Sequence, residues 1–160
     1  MIDADAINVL SEHVEWLDEK RCPVILTPHL GEFARLCPEY NNLEDAICHF
    51  ADRYDVTMVV KGPNTIVYSD HHMYRNTTGN QGMATAGMGD VLAGIISSLC
   101  GQGYSALQAS QFGVYLHGLC GDELYKNQET VLPHRLIEKI PTVMKELSCE
   151  KNSYRINKSF

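Results

Sequence analysis

Apolar residues recur along this chain with two alternating periods, and that alternation predicts an α/β fold. Ile7, Leu10, Val14 and Leu17 are spaced by three and four residues. They form one stripe of a helix that begins near Asp5 or Ala6, with Asp3 or Asp5 near its N-cap. Pro23-Val24-Ile25-Leu26-Thr27-Pro28 is a short apolar run closed by proline, the signature of a strand. The loop His29-Leu30-Gly31-Glu32 leads to a short helix over 33–36. Residues 43–54 read as an amphipathic helix with Leu43, Ala46, Ile47 and Phe50 turned inward. The β-branched run 56–60 is a strand that ends at Lys61-Gly62-Pro63-Asn64. Segments 65–68 and 73–75 flank the turn Ser69-Asp70-His71-His72 as a hairpin. A glycine-rich loop then meets a helix over 90–99, a second long helix covers 106–125, and Pro133 opens the last helix at its first position.

Helices alternating with strands predict a mostly parallel sheet flanked by helices, and 160 residues predict a single domain, 1–160. The first helix needs a strand before it, but only Met1 and Ile2 precede Asp3. The chain therefore reads as starting inside the fold. In folds of this class active sites lie beyond the carboxyl ends of the strands, which singles out the loops after Thr27, Val60 and Arg75.

Composition narrows the function. The chain is 21% charged and 44% hydrophobic with a net charge of -7, the profile of a globular protein that lacks a basic stripe for nucleic acid. The cysteines at 22, 37, 48, 100, 120 and 149 form no CxxC pair, and reduced thiols in a cytoplasmic protein are expected. No Asp, Glu, Lys or Arg occurs from Val91 to Gly121, but Gly101-Gln102-Gly103 interrupts the stretch and Gln108, Gln111 and His117 follow. Two buried helices fit this better than a membrane span.

The strongest chemical signal is Asn76-Thr77-Thr78-Gly79-Asn80-Gln81-Gly82-Met83-Ala84-Thr85-Ala86-Gly87-Met88-Gly89-Asp90. Its glycines let backbone N–H groups approach an anion, and the loop enters a helix N-terminus whose free N–H groups and dipole attract phosphate. It is neither a Walker A loop nor a GxGxxG turn. Asp90 in the first turn either caps the helix or accepts the proton of an attacking hydroxyl, as phosphoryl transfer requires. Bare backbone on both sides of Met88 favours the second role. Lys61 ends a buried strand and either neutralises a phosphate or sits in an exposed turn. His29 and Glu32 either contact substrate and a magnesium-bound water, or cap a helix. His71-His72 reads as a solvated hairpin tip, and His117 as a satisfied core histidine or one standing behind the site, rather than a ligand.

Taken together, Asp3-Ala4-Asp5-Ala6-Ile7-Asn8, Thr27-Pro28-His29-Leu30-Gly31-Glu32, Lys61-Gly62, Thr77 through Thr85, Gly87-Met88-Gly89-Asp90-Val91-Leu92-Ala93-Gly94 and Tyr115-Leu116-His117-Gly118 resemble the ADP-dependent NAD(P)H-hydrate dehydratases, a branch of the ribokinase-like superfamily. The match runs from residue 1 to about 140 and is weak beyond Ile140. The resemblance implies repair of hydrated NADH and NADPH. The ring hydroxyl is phosphorylated from ADP, with magnesium accompanying the nucleotide, and phosphate is then expelled by the ring nitrogen lone pair. It implies Asp90 as the catalytic residue. Asp90, His29 and Asn80 would contact the hydrate, and Lys61, Gly62, Pro63, Asn64, Thr65, Gly87, Met88 and Gly89 would frame the adenine nucleotide. Glu32 would reach the metal indirectly.

Two departures accompany the match. The strands and helices that normally precede the Asp3-Ala4-Asp5 motif are absent, so a homo-oligomer is expected to cover the sheet edge. Pro63-Asn64 stands where a small Ala-Gly pair is usual, and proline removes one N–H donor. A ribokinase-like small-molecule kinase, or a truncated nucleotide-binding module without turnover, are the alternatives.

Overall fold

The computed structural model describes residues 1–156, with side chains described through residue 149. A short parallel stub at Ile2 precedes helix α1 (Asp5–Glu12) and a 3-10 helix (Val14–Glu19). Strand β1 (Ile25–Leu26), helices α2 (Leu30–Leu36) and α3 (Leu43–Tyr54), and strands β2 (Thr57–Val60), β3 (Ile66–Ser69) and β4 (His72–Arg75) follow. Helices α4 (Met88–Gly101), α5 (Ala106–Tyr125) and α6 (Pro133–Ile156) complete the chain.

The sheet order is β1-β2-β3-β4. Because side chains alternate across a strand, each strand feeds two cores. Ile25, Val59 and Val67 face the layer built by α4, α5 and α6, with Ile96, Leu116 and Leu136 among its fully buried side chains. Leu26, Met58, Val60, Ile66 and Tyr68 face α1, α2 and α3, against Ile7, Phe33 and Ile47. The registers Leu26↔Met58 and Met58↔Tyr68 keep each set on its own face. The result is the expected α/β arrangement of helices on both faces of a sheet.

The sheet is less parallel than the alternation of elements predicts. β1 pairs with β2 in parallel, but β2–β3 and β3–β4 are antiparallel. A parallel return needs a crossover, here supplied by α2 and α3, whereas an antiparallel return needs only a tight turn. Asp70 and His71 supply that turn with φ of 51° and 60°, the left-handed pair of a two-residue hairpin. The parallel share is completed by isolated bridges, Ile2 to Leu26 and His29 to Lys61.

Two details at the start of the chain also differ from expectation. The stripe Ile7, Leu10, Val14 and Leu17 is not one helix: α1 ends at Glu12, and a 3-10 helix carries Val14 and Leu17. His13 at the junction stacks on Trp16, three residues on, with ring centroids 4.4 Å apart. Residues spaced by three eclipse one another in a 3-10 turn, which suits that stack. The N-cap of α1 is Ala4, at φ 49°, with no side-chain cap, because the carboxylate of Asp3 is drawn elsewhere.

No helix among the described residues is long and apolar enough to cross a membrane. The cysteines form no disulfide among the described residues, and burial pushes the Cys120 thiol up to about 11, as suits a packing residue.

Candidate active site

Parallel pairing of the Ile2 stub, β1 and β2 brings their carboxyl ends together, and with them the three motifs of the first half of the chain. The Lys61 N–H donates to the Pro28 carbonyl at 2.8 Å, which fixes the two loops side by side. The Lys61 ammonium then lies 2.6 Å from Asp3 Oδ1 and 4.0 Å from Glu32 Oε2. A Cβ on Gly89 would lie 3.6 Å from the same nitrogen, so the ammonium also stands over the first turn of α4.

His29 and Glu32 do form a reciprocal cap on α2. His29 Nδ1 accepts from the N–H groups of Gly31 at 3.0 Å and Glu32 at 3.2 Å, and Glu32 Oε2 accepts from the His29 N–H at 2.7 Å. With Nδ1 used as an acceptor, a neutral ring carries its proton on Nε2. That nitrogen lies 3.5 Å from Glu32 Oε1 on a half-exposed side chain. The cap thus orients His29. Glu32 itself is buried at 6% exposure.

The glycine loop reaches α4 through Gly87, at φ 90°, a conformation that L side chains avoid. No side chain caps this helix, so its N-terminus keeps backbone N–H groups for a ligand. Asp90 is the third residue of α4, exposed, and its carboxylate has no hydrogen-bond or ion-pair partner among the described residues. A capping role does not account for it.

A cleft of about 670 Å³ runs between the two halves of this site. Lys61, Gly62, Pro63 and Thr65 form one wall, Thr78, Gly79, Asn80 and Gln81 the other, and Met88 and Gly89 the end nearest α4. Asn64, Gly87, His29, Glu32 and Asp90 lie outside its lining. Asp90 borders instead a separate depression of about 430 Å³ between α4 and α6, walled by Val91, Ile95, Ile137, Ile140 and Met144. Asp90 therefore stands one residue from the cleft at Gly89, on the other side of the helix tip. The turn at Gly62 closes on Thr65, whose hydroxyl donates to the Gly62 carbonyl at 3.1 Å. Pro63 has no N–H to offer, yet the turn forms without one.

Four contributors escaped the sequence reading. Asp3, read as a cap, holds Lys61. Asn76 is 5% exposed and donates from Nδ2 to the carbonyls of Thr78 at 3.0 Å and Val114 at 3.1 Å, tying the loop to α5. Asp122 accepts from the loop, as described below; the one available signal was that it ends the charge-free stretch 91–121. His117 lines the cleft, and its buried Nε2 has no hydrogen-bond partner among the described residues, which departs from the satisfied core histidine and leaves the alternative of a histidine at the site. Burial pushes its pKa down to about 4, partly opposed by the Met88 carbonyl. The ring is neutral at pH 7.

The model of the NAD(P)H-hydrate dehydratase family matches residues 1–142. The chain belongs to that family. It is 37% identical over 153 residues to the ADP-dependent (S)-NAD(P)H-hydrate dehydratase of Staphylococcus aureus, covering 92% of this chain and 53% of the relative. Among solved structures it superposes on a ribokinase-like superfamily protein of Enterococcus faecalis with a TM-score of 0.78 at 33% identity, covering 91% of this chain and 51% of that one. It also superposes on the ADP/ATP-dependent NAD(P)H-hydrate dehydratase of Bacillus subtilis co-crystallised with ATP and Mg2+ (TM-score 0.70, 34% identity, 78% and 48% covered). The chain thus spans about half the length of these three proteins, and 30% of the bifunctional NAD(P)H-hydrate repair enzyme of Moorella thermoacetica, to which it is 39% identical over 159 residues. The family match stops at residue 142, within α6, as the weak resemblance beyond Ile140 anticipates.

Proposed function

We propose that this chain carries the nucleotide-binding and phosphoryl-transfer part of an ADP-dependent NAD(P)H-hydrate dehydratase, acting on hydrated NADH and NADPH. One observation carries the reading. Lys61, buttressed by Asp3, stands over the uncapped first turn of α4, one residue from a carboxylate that has no structural task.

Each residue has work to do in this reading. ADP occupies the cleft between the 61–65 turn and the 78–81 wall, with Lys61 and the α4 N–H groups facing its phosphates. Lys61, Gly62, Pro63 and Thr65 frame the nucleotide from one side, with Asn64 at the outer edge of the turn, and Gly87, Met88 and Gly89 present the backbone. The hydrate lies on the Asp90 side, with His29 Nε2–H as a donor to it. Asp90 takes the proton of the ring hydroxyl as its oxygen bonds to the terminal phosphorus of ADP and AMP leaves. The bare N–H groups at the helix tip stabilise the charge on the transferring group. The new phosphate ester then breaks at its C–O bond. The ring nitrogen lone pair expels phosphate, and a ring proton is lost to restore the double bond. Phosphorylation matters because hydroxide leaves poorly and phosphate leaves well.

No group of three or more His, Cys, Asp or Glu side chains suited to a metal occurs among the described residues. Magnesium binds through one or two carboxylates plus substrate phosphates and keeps several waters. Asp3 and Glu32, the carboxylates beside Lys61, are the residues that would reach such an ion through water. Bound there, it would neutralise phosphate charge.

Asn80 is read here as part of the loop scaffold, since both ends of its amide are engaged within the protein. A homo-oligomer belongs to the same proposal, and sedimentation measures it. The test of function is recovery of NADH absorbance from hydrated NADH with ADP and ATP offered separately. Recovery with ADP supports the dehydratase; a stable phosphorylated product points to a kinase. ADP binding with neither outcome supports a nucleotide-binding module, a reading favoured by the half-length coverage of the relatives.

A further inference from the structure

Helix α5 holds the wall of the cleft through one of its faces. Tyr115, Gly118 and Asp122 are spaced by three and four residues and point the same way. At one end of the face the Thr78 hydroxyl donates to the Tyr115 carbonyl at 2.9 Å. In the middle, a Cβ on Gly118 would lie 2.2 Å from Thr78 Oγ1, so the loop backbone is seated directly on the helix. At the other end Asp122 accepts twice, from the Gly79 N–H into Oδ2 at 2.9 Å and from Asn80 Nδ2 into Oδ1 at 2.9 Å. Asn80 passes the constraint on, since its Oδ1 accepts from the Gly82 N–H at 3.0 Å.

We infer that Asp122 is the positioning residue of the nucleotide cleft: its two carboxylate oxygens set Gly79 and Asn80 as a rigid wall opposite Lys61. The role rests on the reading of the cleft as the ADP site. Three features support it over simple helix surface chemistry. Gly79 sits at φ 102°, a conformation that an untethered glycine leaves freely, so the wall needs an external anchor to stay in place. Both bonds end on one ionised carboxylate, and charge-assisted bonds of this kind are about twice as strong as neutral ones. The contact joins residues 43 and 42 positions apart, so nothing local would replace it.

The donors and acceptors allow a reciprocal swap. In Asp122→Asn the new amide Nδ2 faces the amide of Asn80, donor against donor. In Asn80→Asp two carboxylates face each other. In the double variant Asn80→Asp/Asp122→Asn, the asparagine at 122 accepts from Gly79 N–H and donates to the aspartate at 80, whose other oxygen accepts from Gly82 N–H. Every bond is recovered with the polarity of one reversed.

The experiment titrates ADP by calorimetry and follows amide hydrogen exchange at Gly79 and Gly82 in the unaltered protein, the two single variants and the double variant. The expected result is about tenfold weaker ADP binding and faster exchange in each single variant, and tighter ADP binding and slower exchange in the double variant than in Asn80→Asp or Asp122→Asn alone. Faster exchange in Asp122→Asn with unchanged ADP affinity shows an anchor without a role in the cleft, and overturns the inference. So does a double variant no better than the singles. If the unaltered protein fails to bind ADP, the functional reading falls and the positioning role falls with it, while protection at Gly79 still reports whether Asp122 holds the loop.

Discussion

Lys61 Nζ lies 2.6 Å from Asp3 Oδ1 although 58 positions separate the two residues in the chain. Both side chains are mostly buried, at 20% and 16% exposure, and Glu32 Oε2 lies 4.0 Å from the same ammonium. A lysine held between two carboxylates beside an uncapped helix is aimed, and a free surface lysine is not. Lys61→Ala is therefore expected to raise the KM for ADP about tenfold or more, the scale of one lost charge-assisted bond, with a smaller effect on kcat. Steady-state kinetics at varied ADP measure this, and an unchanged KM would remove Lys61 from the site.

Asp90 has no hydrogen-bond or ion-pair partner among the described residues, so its replacement breaks no such bond. Asp90→Asn should abolish turnover, keep ADP affinity within about tenfold and cost no more than about 1 kcal/mol of stability through the lost carboxylate–helix-dipole interaction, since an interaction confined to the transition state lowers kcat alone. Parallel loss of binding and turnover would instead make Asp90 part of the ground-state site.

Two glycines of the helical layer make a matched pair for testing the loop seat. A Cβ on Gly118 would meet Thr78 Oγ1 at 2.2 Å and the Thr78 carbonyl carbon at 2.6 Å, whereas one on Gly94 meets nothing within 4 Å. Gly118→Ala is expected to cost about 2 kcal/mol and lower the melting temperature by about 6 °C. Gly94→Ala, in the exposed face of α4, should stabilise by about 0.5–1 kcal/mol through helix propensity. Equal shifts from the two would show that the loop is not seated on α5.

Burial holds the pKa of His117 at about 4, below the ordinary 6.5. Above pH 6.5 the ring is neutral in both folded and unfolded chains, and it contributes no pH dependence. Between pH 6.5 and 4 the unfolded chain takes up a proton that the folded chain resists, so stability falls as the pH falls. The loss approaches about 3 kcal/mol at the acid end of that window. Urea unfolding at pH 7, 5.5 and 4.5 should show this slope, and His117→Gln should flatten it; equal slopes in both proteins would assign the effect to other groups.

Much of this protein follows from its sequence. Apolar periodicity places α3, α5 and the hairpin, because burying one face of a helix or a strand is a local demand written in every third or second residue. Pro133 at the head of α6 and the left-handed turn at Asp70-His71 are likewise local. The glycines before Asp90 announce an uncapped helix tip because no other residue takes φ 90° so easily. What the sequence leaves open depends on contacts far apart in the chain. Whether His29 and Glu32 cap a helix or serve a site has no answer in their spacing; the fold shows the cap and sets Glu32 4.0 Å from the Lys61 ammonium. The pairing of Asp3 with Lys61 requires the Ile2 stub, β1 and β2 to align in parallel, and the hold of Asp122 on Gly79 requires α5 to cross beneath the loop. Local propensity specifies the elements, while the burial of both faces of the sheet decides which of their ends meet, and the site exists only where those ends meet.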